Sequence, residues 1–163
     1  ANGAAASKSK KVTICVTGDG SLMTNIHELA TSKEFNLNVK IFVINNDGYV
    51  SMRNTQNQYF NGYQVGAGKD SGVFIPSIEK IVKSYNLPYL RINSELNLIK
   101  KIKEITKLKG PQVIEVIAPS DQEIIPKVSS TKLPNGKMVS NSIENMSPLI
   151  DPLILDKELG FIE

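Results

Sequence analysis

One cysteine and one histidine in 163 residues leave little room for thiolate or imidazole chemistry. Cys15 lies inside an apolar run, so the chain has no disulfide framework, and a buried, inert thiol is expected there. His27 alone cannot build a histidine metal site or a nucleophile–base triad. Long apolar runs are also missing: none approaches the roughly 18 residues of a membrane span. With no signal peptide in view, a reducing cytoplasm is the expected compartment. Excess charge is slight, at +3, and the lysines concentrate between Lys100 and Lys109, where they fit the wet face of a helix. No basic stripe with interleaved aromatics appears, so nucleic acid is not an expected partner. What remains is ordinary for one globular domain with a real core, at 40% hydrophobic and 21% charged residues.

Two turns stand out. Gly18-Asp19-Gly20-Ser21 follows the apolar run Val12–Thr17, and Asn45-Asn46-Asp47-Gly48-Tyr49 follows the apolar run Val39–Ile44. The 24 residues from Ser21 to Ile44 suffice for one helix and one strand. In a parallel βαβ unit the two strand ends lie side by side, so Asp19 and Asn46 meet at the sheet edge where α/β proteins bind ligands. A carboxylate and a carboxamide there suit Mg²⁺ or Ca²⁺, with a phosphate completing the shell. Gly20 lets the backbone approach closely, and the helix that follows favours an anion. The plain alternative is an α/β protein with a Gly-rich turn; the paired motifs, each behind an apolar run, argue against it.

The pairing of GDG with NN some two dozen residues later resembles the diphosphate-binding signature of thiamine diphosphate enzymes. The residues from Gly18 to Thr31 resemble the acetolactate synthase branch. The resemblance implies that Asp19, Asn46 and the carbonyl of Gly48 bind Mg²⁺, and that Gly20, Ser21 and Tyr49 add backbone or hydroxyl hydrogen bonds to thiamine diphosphate. It implies a two-carbon transfer from a 2-oxoacid, with pyruvate the expected donor, to a carbonyl acceptor. It also implies a homo-oligomer with active sites at subunit interfaces, where a glutamate of a different domain activates the cofactor. In the family a glycine-rich loop and a helix precede the first strand; this chain, opening Ala1-Asn2-Gly3-Ala4, lacks them. It is therefore expected to be a fragment of a longer enzyme or, failing that, a separate subunit, and catalytically silent by itself. A partner-binding domain that keeps the fold without turnover is the non-enzymatic alternative.

The expected fold is α/β, a parallel sheet with helices on both faces, over residues 1–118, with an irregular tail over 119–163 that packs on the domain or a partner. Residues 1–10 are expected to fray. The strands expected are Lys11–Thr17, buried on both faces, Val39–Asn45, Pro88–Ile92 and Gln112–Ala118. Asn25 and Glu28 suggest a capping pair for a helix over 25–35 with Ile26, Leu29 and Ala30 inward. Pro76 opens a helix to Tyr85. Ser94 reads as the cap of another, with Leu98, Ile99, Ile102, Ile105 and Leu108 at helical spacing and Gly110-Pro111 as its stop. Residues 46–75 show little periodicity and read as a long loop facing substrate or an interface. Leu133–Lys137 suggests a hairpin turn, and a short helix is expected after Asp151-Pro152.

Three further residues carry expectations. His27 either hydrogen-bonds locally or contacts bound substrate; acetolactate synthase relatives often have Gln there. Asp47 should point away from the metal. Met52, six residues after Asn46, stands where the similar pyruvate decarboxylases carry a glutamate. A carboxyl there can deliver a proton that helps release free aldehyde, a general-acid effect of about 10²–10⁴-fold. Met52 has no such proton, which favours carboligation over non-oxidative decarboxylation, unless it merely packs in the core.

Overall fold

The computed structural model describes residues 1–7 and 11–161. Its contacts divide the chain into two units, Ala1–Gln122 and Glu123–Glu163. The first holds a four-stranded sheet in the order β1 (Thr13–Gly18), β2 (Val39–Asn45), β4 (Gln112–Ile117), β3 (Tyr89–Ile92), with every neighbouring pair parallel. The order of elements explains the parallel pairing, since parallel neighbours need a crossover and each crossover here carries helices. Among the described residues no helix is long and apolar enough to cross a membrane.

The sheet is covered on both faces. Leu22 of α2 (Asp19–Thr24), Leu29 of α3 (Glu28–Glu34) and Ile78 and Val82 of α5 (Ile78–Ser84) pack with Val39, Ile41, Val43 and Val113. On the other face Leu98, Ile102 and Ile105 of α6 (Leu98–Lys107) pack on Phe42, Ile92 and Ile114. Each aliphatic side chain so buried stabilises the fold by about 1.5–3 kcal/mol before chain entropy is charged. Ile99 and Leu108 turn outward instead, 72% and 44% exposed, so α6 has a narrower core face than its apolar spacing suggested.

Other expectations fail. Within residues 1–10, expected to fray, the segment Asn2–Ala6 is a helix, tied down by Asn2, which accepts from the Ser32 hydroxyl at 2.8 Å. β1 is an edge strand, not one buried on both faces: Ile14 and Val16 are 53% and 68% exposed, and Cys15 is half-buried rather than buried. The helix foreseen over 25–35 is two helices. The Thr24 hydroxyl bonds the Ser21 carbonyl and Asn25 Nδ2 bonds the Thr24 hydroxyl, side-chain bonds of the kind that compete with a helical ladder. Asn25 leaves the helix at φ −132°, and α3 restarts at Glu28 without a side-chain cap. The Glu28 carboxylate accepts from Asn2 Nδ2 at 2.9 Å, joining α3 to α1 (Asn2–Ala6). Ser94 accepts from the Leu96 N–H, and α6 starts three residues later from Asn97 at φ 56°. Finally, the stretch 46–75 contains a ten-residue helix, α4 (Val50–Tyr59), with no buried residue.

The second unit is small. β5 (Ser130–Lys132) and β6 (Met138–Ser140) pair antiparallel around the Leu133–Lys137 turn, where Gly136 takes φ 81°. α7 (Pro152–Glu158) starts from Asp151, whose carboxylate accepts from the Leu153 N–H.

Candidate cofactor-anchoring site

In the parallel register of β1 and β2, Gly18 lies opposite Ile44, so the two motifs leave the sheet side by side. Asp19 is 0% exposed. Its Oδ1 accepts from the Gly20 N–H at 2.7 Å and its Oδ2 from the Gly48 N–H at 2.9 Å. A single carboxylate thus fixes both turns, in a place where an anion without N–H partners would be costly. Each oxygen retains lone-pair capacity for a cation.

Gly48 is forced by its surroundings. It adopts φ 112°, and a Cβ there would lie 2.7 Å from the Ala67 carbonyl. The turn is pinned to the Ala67–Gly68 segment by the bond from the Tyr49 N–H to the Ala67 carbonyl, at 2.8 Å. Gly20 also makes room within the protein itself. What approaches it is the Tyr49 ring, whose Cε1 would stand 2.5 Å from an added Cβ, while the Tyr49 hydroxyl donates to the Gly20 carbonyl at 3.4 Å.

The two asparagines divide their work. Asn45 is structural: its Nδ2 donates to Glu115 Oε1 at 2.6 Å and its Oδ1 accepts from the Asp47 N–H at 3.3 Å. The Asn46 carboxamide is half-exposed and makes no hydrogen bond to any described residue. Asp47 is exposed at φ 62°, in the left-handed region where Asn and Asp are tolerated. Behind this turn Glu115 of β4, 5% exposed, accepts from the Tyr89 hydroxyl and lies 3.9 Å from Arg91 Nε. Burial first, and then that carboxylate, push the Tyr89 phenol above its ordinary range.

Asp19, Gly20, Gly48 and Tyr49 are therefore brought into contact, with Asn46 two residues before Gly48 in the same turn. Ser21 sits exposed in the first turn of α2, on the wall of a hollow of about 480 Å³ shared with Thr17, Asn25 and Glu28. Met52 is 41% exposed near the start of α4, beside a hollow of about 310 Å³ lined by Ser51, Thr55, Gln56 and Phe60. His27 stands apart, its side chain 72% exposed and its Nε2 3.8 Å from Glu28 Oε1. The sequence reading missed Arg53, Glu115 and Tyr89. A lone arginine amid Asn and Gln was the available signal for the first, and a glutamate within an apolar strand for the second.

The donors fit a hard cation: one carboxylate, one uncommitted carboxamide, and the Gly48 carbonyl, which accepts no hydrogen bond from any described residue. With a single acid among them, they leave charge on a divalent ion for an anionic ligand to balance.

The chain matches, over residues 1–116, the family described as thiamine pyrophosphate enzyme, C-terminal TPP binding domain. It is 27% identical over 134 residues to acetolactate synthase 2, chloroplastic, of Zea mays, covering 80% of this chain and 21% of that protein. The acetolactate synthase large subunit of Cyanidium caldarium is 29% identical over 119 residues, covering 73% of this chain and 20% of that protein. The large subunit of Porphyra purpurea is 25% identical over 137 residues, with shares of 84% and 23%. The chain thus spans about a fifth of the length of these relatives. The cofactor that follows is thiamine diphosphate with a divalent metal. Parallel sheet, paired turns and matched residues together place the chain in the thiamine pyrophosphate enzyme family, as its C-terminal TPP-binding domain.

Proposed function

We propose that this chain anchors the diphosphate of thiamine diphosphate through Mg²⁺ in an acetolactate synthase-like, 2-oxoacid-decarboxylating carboligase. The observation that carries this is the buried Asp19 carboxylate bonded to the Gly48 N–H, which sets the Asp19 carboxylate beside the turn that bears the Asn46 carboxamide and the Gly48 carbonyl. Asp19, Asn46 and the Gly48 carbonyl hold the metal. Gly20 gives its N–H to Asp19 and so holds the carboxylate in place, Ser21 offers its main-chain N–H and hydroxyl to the diphosphate, and Tyr49 braces the Gly20 turn. The cofactor, when bound, supplies the electron sink for decarboxylation. This chain's residues bind it, orient it and keep its surroundings poor in protons. Other domains of the same enzyme supply the activating glutamate and the rest of the pocket, in a homo-oligomer.

Met52 is what favours carboligation over simple decarboxylation. It is exposed beside a hollow, so it is free to line a pocket rather than packed in a core. A thioether offers apolar surface and no acidic proton. Product analysis of the full-length enzyme with pyruvate and candidate acceptors tests the reading. A C–C-bonded product with little aldehyde is expected, and Met52→Glu should raise the aldehyde share. Free acetaldehyde dominating with every acceptor would replace carboligation by non-oxidative decarboxylation. Binding of thiamine diphosphate without turnover of any 2-oxoacid would favour the partner-binding alternative.

A further inference from the structure

Arg53, one turn into α4, spends its guanidinium on main-chain carbonyls. Nη2 donates to Asn46 at 2.7 Å and to Ser120 at 2.8 Å; Nη1 donates to Asp47 at 2.8 Å and to Ala67 at 3.0 Å. No carboxylate among the described residues pairs with it. Three separate stretches of chain thereby converge on one rigid, planar group: the turn after β2, the Ala67–Gly68 segment and the chain beyond β4. The surrounding glycines make room for it, since a Cβ at Gly68 would lie 2.9 Å from Nη1 and one at Gly48 3.4 Å from it. In the run Asn46-Asp47-Gly48 the guanidinium takes the first two carbonyls and leaves the third.

We propose that Arg53 is a positioning residue for the metal-binding turn. By holding the Asn46 and Asp47 carbonyls back toward α4, it turns the Asn46 carboxamide and the Gly48 carbonyl toward Asp19, and it touches neither metal nor cofactor itself. The fork of a guanidinium is required, because a lysine ammonium is a point charge that cannot span four acceptors in fixed geometry. The inference rests on Asp19, Asn46 and Gly48 being the metal site.

The test uses the full-length enzyme freed of cofactor, as wild type, Arg53→Lys and Arg53→Ala. Calorimetry gives the affinity for thiamine diphosphate with and without Mg²⁺, and hydrogen–deuterium exchange of the cofactor-free proteins follows peptides spanning 45–53 and 66–69. Arg53→Lys should lose at least about tenfold in Mg²⁺-dependent affinity, the scale of one lost charge-assisted hydrogen bond. It should also exchange faster in both peptides, with the β2 and β4 peptides unchanged. Arg53→Ala should lose more, and millimolar guanidinium, but not methylammonium, should restore part of the loss. Affinities within twofold of wild type overturn the proposal, as does lost affinity with unaltered exchange over 45–53. Should Arg53→Ala fail to fold, Arg53→Lys decides by the same two readouts. Wild-type binding that ignores Mg²⁺ overturns the metal site itself; normal wild-type binding with unaffected variants overturns the role of Arg53 alone.

Discussion

Asp19 and Asn46 differ in what else they hold, and mutants should separate the two duties. Asp19→Ala leaves the Gly48 N–H without its partner, at a cost to stability of about 1–3 kcal/mol. Asn46→Ala removes a carboxamide that bonds no described residue, so stability should hold. Both should abolish Mg²⁺-dependent binding of thiamine diphosphate by the full-length enzyme. Calorimetry beside chemical denaturation checks this, and retained affinity in both mutants would end the metal assignment. At Tyr89 the expectation concerns pH. Its folded phenol keeps a proton that the unfolded chain gives up near pH 10. The folded state binds more protons there, so this contribution to stability is whole below that pH and drains away as pH rises through it. Tyr89→Phe should lower stability at neutral pH and flatten the alkaline fall; an identical alkaline slope in both proteins would contradict the Tyr89–Glu115 coupling.

α4 shows how a helix can stand without a buried face. Nothing in Val50–Tyr59 is buried, and the helix is held by Arg53 at its start and by Gln56, whose side chain exchanges two bonds with the Val65 main chain at 2.9 and 3.2 Å. Gln56→Ala should cost about 1–2 kcal/mol of local stability, read as faster amide exchange over 56–66 with β2 unaffected. The same feature explains what sequence could and could not foretell. β2 was legible because the mostly apolar, β-branched-rich run Val39–Ile44 states its own burial, and α5 because Pro76 announced it, although the helix begins two residues later, capped by Ser77, which accepts from the Lys80 N–H. The juxtaposition of the two turns was legible in the spacing of Asp19 and Asn46 behind their strands. α4 had no apolar stripe to show. Arg53 and Glu115 escaped because one works on main-chain carbonyls, which every residue carries, and the other on an asparagine that the motif suggested for no role of its own.

At the scale of the molecule, the Asp19–Gly48 turn pair is well formed, and the proposed reaction is expected to need further domains. The chain covers about a fifth of the length of its relatives. Incubated alone with pyruvate, thiamine diphosphate and Mg²⁺, it should release no CO₂ above a blank; measurable release would show that it needs no other domain. The edge position of β1 has a practical corollary. A parallel edge strand offers a row of unpaired N–H and C=O groups, here flanked by Ile14 and Val16 in water. Such an edge is a template for foreign strands, and a net charge of +3 sits at the low end of the range that keeps small domains apart. Expressed by itself, the chain should scatter light increasingly with concentration, and Val16→Lys, which charges the open side of that strand, should restore its solubility.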